Sequence, residues 1–92
     1  MRWEVRVAEK ARRAHRRAPK GDQERIAAAL EAMREDPIAG DVVHLKNEPV
    51  AWRRRVGDWR ILFDLYPDRH LVDVGDIRRR TTTTYRRRGT TQ

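Results

Sequence analysis

The chain has 92 residues, 39% charged and 38% hydrophobic, with 22 Lys and Arg against 14 Asp and Glu for a formal net charge of +8. The lack of cysteine excludes a disulfide framework and a thiolate metal site, and no apolar run approaches the ~20 residues that span a bilayer. Residues 1–20 are charged throughout and lack the apolar run of a signal peptide, so a cytoplasmic protein with no membrane partner is expected. Three tryptophans and well-patterned apolar segments argue against disorder and for a single domain over 1–92.

Charge is unevenly placed. Residues 1–20 and 52–92 each carry a net +6, and residues 21–51 a net −4. Nineteen of the 22 basic residues are arginine, whose planar fork suits bidentate phosphate contacts and stacking on bases. A GC-rich coding sequence would also enrich arginine, but the concentration at both ends points to a basic surface and an anionic partner.

In chain order, residues 2–7 alternate, with Trp3, Val5 and Val7 on one face, and predict a strand that pairs antiparallel with a later one. Residues 8–18 predict a helix with a thin apolar stripe of Ala8, Ala11, His15 and Ala18, ended by Pro19-Lys20-Gly21. A second helix opens on the acids Asp22 and Glu24, carries Ile26, Leu30 and Met33 at helical spacing, and stops near Asp36 before Pro37. The stretch with Val43, His44, Leu45 and Pro49 reads as a loop. Trp52–Val56, Trp59–Tyr66 and residues 70–77 then read as three strands, joined by Gly57-Asp58 and Pro67-Asp68-Arg69. The fold predicted is α+β, a small two-layer domain with a helical hairpin packed on an antiparallel sheet in the order β-α-α-β-β-β. Residues 78–92 read as a basic loop and tail.

Strand parity brings arginines together. With Trp52, Val56, Trp59, Ile61 and Phe63 toward the helices, Arg53, Arg55 and Arg60 point to the open face. With Val72 and Val74 in the core, Leu71, Asp73, Gly75 and Ile77 are expected outward, and Arg79 with them. Arg54 falls on the helix face and is expected to snorkel. Such a guanidinium cluster stabilises the charge that builds on phosphoryl oxygens when a ribose 2′-hydroxyl attacks the adjacent phosphate, with no metal or cofactor. Tyr85 can stack on a splayed base. Arginines on a solvated sheet face are also an ordinary way to keep that face in water. His15, His44 and His70 lack ligand spacing. Asp64, Asp73 and Asp76 form at most a weak metal candidate and more often pair with arginines, and Trp52 and Trp59 read as core.

The run LKNEPVAWRRRVGDWRILFDL (45–65) resembles the central segment of the RelE/ParE superfamily of toxins from toxin–antitoxin systems, and DIRRRTTTTY (76–85) resembles its basic, tyrosine-ended segment. The resemblance, closest to the RelE branch, implies a ribosome-dependent endoribonuclease that cleaves mRNA and inhibits translation. By position it assigns catalysis to Arg53, Arg55, Arg60, Arg79 and Tyr85, with Arg78 or Arg80 as alternatives to Arg79, and RNA binding to Arg78, Arg80, Arg86 and Arg87. It further implies a cognate antitoxin with an acidic, partly disordered segment, and the ribosome and mRNA as partners. The family's strand pair is often lysine; arginine there leaves the general base open, because guanidinium holds its proton firmly. Other branches place a Glu and a His nearby, and no His follows His70. The alternative is a ParE-like gyrase inhibitor or a noncatalytic member, although ParE-like members typically lack the full set.

Overall fold

The computed structural model describes residues 2–47 and 50–80. In chain order these form β1 (Glu4–Val7), α1 (Glu9–Arg17), α2 (Lys20–Met33), β2 (Val42–His44), β3 (Trp52–Val56), β4 (Trp59–Tyr66), a 3-10 turn (Pro67–Arg69) and β5 (Leu71–Arg79). The strands make one sheet in the order β1-β5-β4-β3-β2. The helical hairpin covers one face of it, as the α+β reading expects.

Two expectations are corrected together. Residues 42–44, read as loop, form β2 on the far edge, antiparallel to β3. The first strand, expected antiparallel to its neighbour, runs parallel to β5, with Glu4 opposite Leu71 and Val7 opposite Val74. One miss explains the other. In a chain that reverses direction at every short connection, counting β2 moves β5 from the sixth to the seventh among the α-helices and strands. Its direction then equals that of β1.

The core forms where the helical and strand periods meet. Ile26, Ala29 and Met33 lie on one side of α2 and are buried. They join Trp59, Ile61 and Phe63 of β4 and Val72, Val74 and Ile77 of β5, with Leu30 partly buried at the margin. α1 contributes Ala11, and its C-cap Ala18 is buried beside it, small side chains that let a mostly charged helix sit close to the sheet. Trp52 stacks on Phe63 with ring centroids 6.4 Å apart. At the β3–β4 turn, Gly57 takes φ +59, a conformation that glycine adopts without the clash a Cβ would bring.

Candidate nucleic-acid interface

The face of the sheet turned away from the helices carries the candidate site. In the β3–β4 hairpin Arg55 stands directly opposite Arg60, and on the next strand Arg60 stands directly opposite Arg78. Three guanidinium side chains thus cross three adjacent strands in a row, and Arg53 sits beside them opposite Leu62. Like charges directly opposite one another destabilise a sheet. The row borders a cleft of about 460 Å³ that Leu45, Leu62 and Arg80 also line.

Among the described residues, counter-charges touch only the ends of the row. Arg55 Nε lies 3.7 Å from Asp41, an exposed and loose pair. Arg78 Nε donates to Asp76 at 2.7 Å. Among the described residues, no carboxylate lies within ion-pair distance of Arg53 or Arg60. The Arg80 backbone N–H donates to the Asp58 carbonyl, tying the end of β5 to the hairpin turn.

The parity expected for β5 is corrected at Gly75. Phe63 pairs with Val74 but Leu62 pairs with Asp76, so Gly75 is an extra residue in the ladder, a β-bulge. Beyond it the faces exchange. Ile77, expected outward, is 2% exposed in the core opposite Ile61, and Arg78 takes the open face. Arg79, expected on that face, instead lies opposite Trp59 with its guanidinium 5.6 Å from the indole centroid, although it still borders the cleft. Leu71, also expected outward, is buried at 3% exposure. A lone glycine inside a strand pattern is itself a bulge signal, so the sequence held the clue.

On the helix side of the same sheet end, the Trp59 indole N–H donates to Asp22 at 3.0 Å. That hydrogen bond, with Arg25 and the charge of Arg79, holds the Asp22 carboxyl below its ordinary value. On the cleft side, burial acts to raise Asp76, but hydrogen bonds from Arg78 and the Ile77 N–H and the charge of Lys10 outweigh it and hold Asp76 below its ordinary value. Lys10 Nζ lies 3.4 Å from Asp76, a contact that the position of Lys10 in a helical pattern does not signal.

The remaining candidates lie apart from the row or outside the description. Arg54 is on the helix side and donates to the Ala39 carbonyl at 2.9 Å. His15 contacts the Gln23 carbonyl, His44 packs on Trp52 and His70 on Trp3. Asp64 accepts the Ala51 N–H at 2.8 Å and faces Asp73 across the ladder. Among the described residues no group of His, Asp and Glu is arranged to hold a metal ion. Tyr85, Arg86 and Arg87 lie outside the described residues.

No protein-family model matches the chain, and no curated protein matches it closely. Solved structures do. The RelE–RelB complex from Pyrococcus horikoshii superposes with a TM-score of 0.78 at 18% identity, over 89% of this chain and 99% of that one. The toxin–antitoxin complex RelBE2 from Mycobacterium tuberculosis gives 0.75 at 18% identity, over 87% and 100%. The YoeB/ParE toxin from Agrobacterium tumefaciens gives 0.70 at 17% identity, over 85% and 99%. The chain therefore has the RelE-like fold. Among the described residues, no helix is long and apolar enough to cross a membrane.

Proposed function

We propose that the chain is the toxin of a toxin–antitoxin pair and a ribosome-dependent endoribonuclease that cleaves mRNA. The row Arg55–Arg60–Arg78, with Arg53 beside it on an open sheet face, is the observation that carries this reading. Three like charges held side by side on neighbouring strands call for an anionic ligand, and phosphate groups are what arginines most often contact on nucleic acids. The ribose 2′-oxygen attacks phosphorus, the bond to the 5′-oxygen breaks, and the proton lost by the 2′-hydroxyl is returned to that leaving oxygen. The guanidinium groups stabilise the charge on the nonbridging oxygens. The ribosome fixes the in-line geometry that a cluster without an obvious base cannot impose alone.

The catalytic set is Arg53, Arg55, Arg60 and Tyr85, with Arg78 favoured over Arg79 for the arginine after the last strand, because Arg78 is the one aligned with Arg60. Arg80, Arg86 and Arg87 would add RNA contacts. The likeness to RelE–RelB and RelBE2, solved as toxin–antitoxin complexes, supports a cognate antitoxin as partner. A segment with acidic side chains would suit this basic face. The site of action is the cytoplasm, where translating ribosomes are.

The test is cleavage of ribosome-bound mRNA with its ends mapped. Products should carry a 2′,3′-cyclic phosphate or 3′-phosphate on one fragment and a 5′-hydroxyl on the other. A 2′-deoxy nucleotide at the scissile position should block cutting, and EDTA should not, beyond the magnesium that the ribosome needs. Intact mRNA together with inhibited gyrase supercoiling would replace this reading with the ParE-like one.

A further inference from the structure

Asp76 is the single buried charged residue among those described, 8% exposed. It lies on the cleft side of β5, opposite Leu62, where Leu45 and Val50 also line the surface. A carboxylate in such a place is costly unless it is paired and its lone pairs are occupied. Both oxygens are occupied. Oδ1 accepts the Ile77 N–H at 2.9 Å, and Oδ2 accepts Arg78 Nε at 2.7 Å and lies 3.4 Å from Lys10 Nζ.

What this does to Arg78 follows from guanidinium geometry. Donation through Nε leaves the terminal amino groups of the fork for another acceptor. Without an anchor, repulsion from Arg60 and the many rotamers of a long exposed side chain would scatter that fork. Arg55, at the other end of the row, also turns Nε toward a carboxylate, but at 3.7 Å from an Asp41 that is itself 55% exposed. The short contact, to a carboxylate that is itself buried, is made at the Arg78 end, and it is possible because the bulge at Gly75 brings Asp76 and Arg78 to one face.

We infer that Asp76 is a positioning residue that holds the Arg78 guanidinium by its Nε and presents the terminal amino groups to a substrate phosphate. Lys10 ties the first turn of α1 to the same anchor. For its substrate this rests on the ribonuclease reading, whereas the anchor itself does not depend on it.

Two measurements test the inference. In wild-type protein the Arg78 Nε–H should exchange with solvent more slowly than that of Arg60. That protection should vanish in Asp76→Asn. In single-turnover cleavage of ribosome-bound mRNA, Asp76→Asn should lower the maximal rate roughly 10- to 100-fold, the scale of a misplaced catalytic group, with little change in half-saturation. In an Arg78→Ala background the same substitution should change the rate less than about twofold, since coupled residues are not additive. Full additivity in that background, or wild-type Arg78 exchanging as fast as Arg60, would overturn the inference. Should Asp76→Asn fail to fold, the wild-type exchange comparison decides alone. A wild-type chain that leaves mRNA intact would instead remove the ribonuclease reading, with the exchange comparison still deciding the role of Asp76.

Discussion

In the β3–β4 hairpin, Trp59, Ile61 and Phe63 face the helices while Arg55, Arg60 and Leu62 face the cleft, and the alternation runs on from the turn without interruption. In β5 it runs only to Val74, and Gly75 then exchanges the two faces, so Ile77 enters the core and Arg78 leaves it. The hairpin delivers its arginines by period alone; β5 delivers its own through a local irregularity. The difference shows that a residue's role in this cleft depends on where its ladder slips, and neighbours in sequence such as Arg78 and Arg79 can take opposite duties.

The sharpest way to break the comparison is on the two sides of β4. Phe63→Ala should cost about 3–5 kcal/mol of stability, the range for removing a buried phenylalanine side chain, whereas Arg60→Ala should cost no more than about 0.5 kcal/mol. Urea melts of the two variants check this. In the ribonuclease assay Arg60→Ala should lose roughly 10²–10³-fold in rate, as loss of one preorganised donor does. A second contrast is on β5. Arg78→Ala should lose rate on the scale of Arg60→Ala, while Arg79→Ala should mainly cost about 0.5–1 kcal/mol of stability through its lost contact with Trp59. Equal rates for wild type and Arg78→Ala, with a dead Arg79→Ala, would reverse the assignment.

A third contrast uses acid. Asp22 and Asp76 are both held below the ordinary carboxylate value, one on each side of the sheet. Their stabilisation is fully present above the unfolded value, ~3.9 for aspartate, and is lost as pH falls through the lower folded values. Thermal melts between neutral pH and strong acid should therefore decline mainly below about pH 4, and Asp76→Asn should flatten part of that decline. The smallest effect belongs to Gly75→Ala. The φ of Gly75 is not in the left-handed range, and an added Cβ would meet only Val50 at 3.9 Å. The bulge should survive, with stability changed by less than about 1 kcal/mol.

Where one physical rule acts alone, the sequence was readable. The alternation of β4 and the helical spacing of Ile26 and Met33 each have one period and one buried face, and both identify core residues that the structure buries. Arg53, Arg55 and Arg60 were therefore legible as a group on one face. Competing rules hid the rest. β2 is three residues long, with Val43 and His44 exposed, too short for a periodic signal. Missing it reversed the expected direction of β1. The bulge converts one glycine into a face exchange, so strand alternation alone puts Arg79 where Arg78 stands, and the arginine partner expected for Asp76 is Arg78, at a buried position that alternation does not show. Lys10 could not be linked to Asp76 by spacing, since the contact joins the start of α1 to a strand at the other end of the chain.

The parallel pairing of β1 with β5 also sets an order of events during synthesis. Residues 4–7 find their sheet neighbour only in residues 71–74, and at translation speeds of ~5–20 residues per second the wait is roughly 3–14 s. Through that interval the first strand has no hydrogen-bonding partner in the sheet, and Glu4 and Arg6 place charges on a segment that would otherwise invite pairing with another chain. The arginine row has the same timetable, because Arg55 and Arg60 emerge before Arg78. A nascent chain therefore carries the two hairpin arginines first and completes the row with the strand that also closes the sheet, so this domain cannot assemble its cleft before residues 71–79 have emerged.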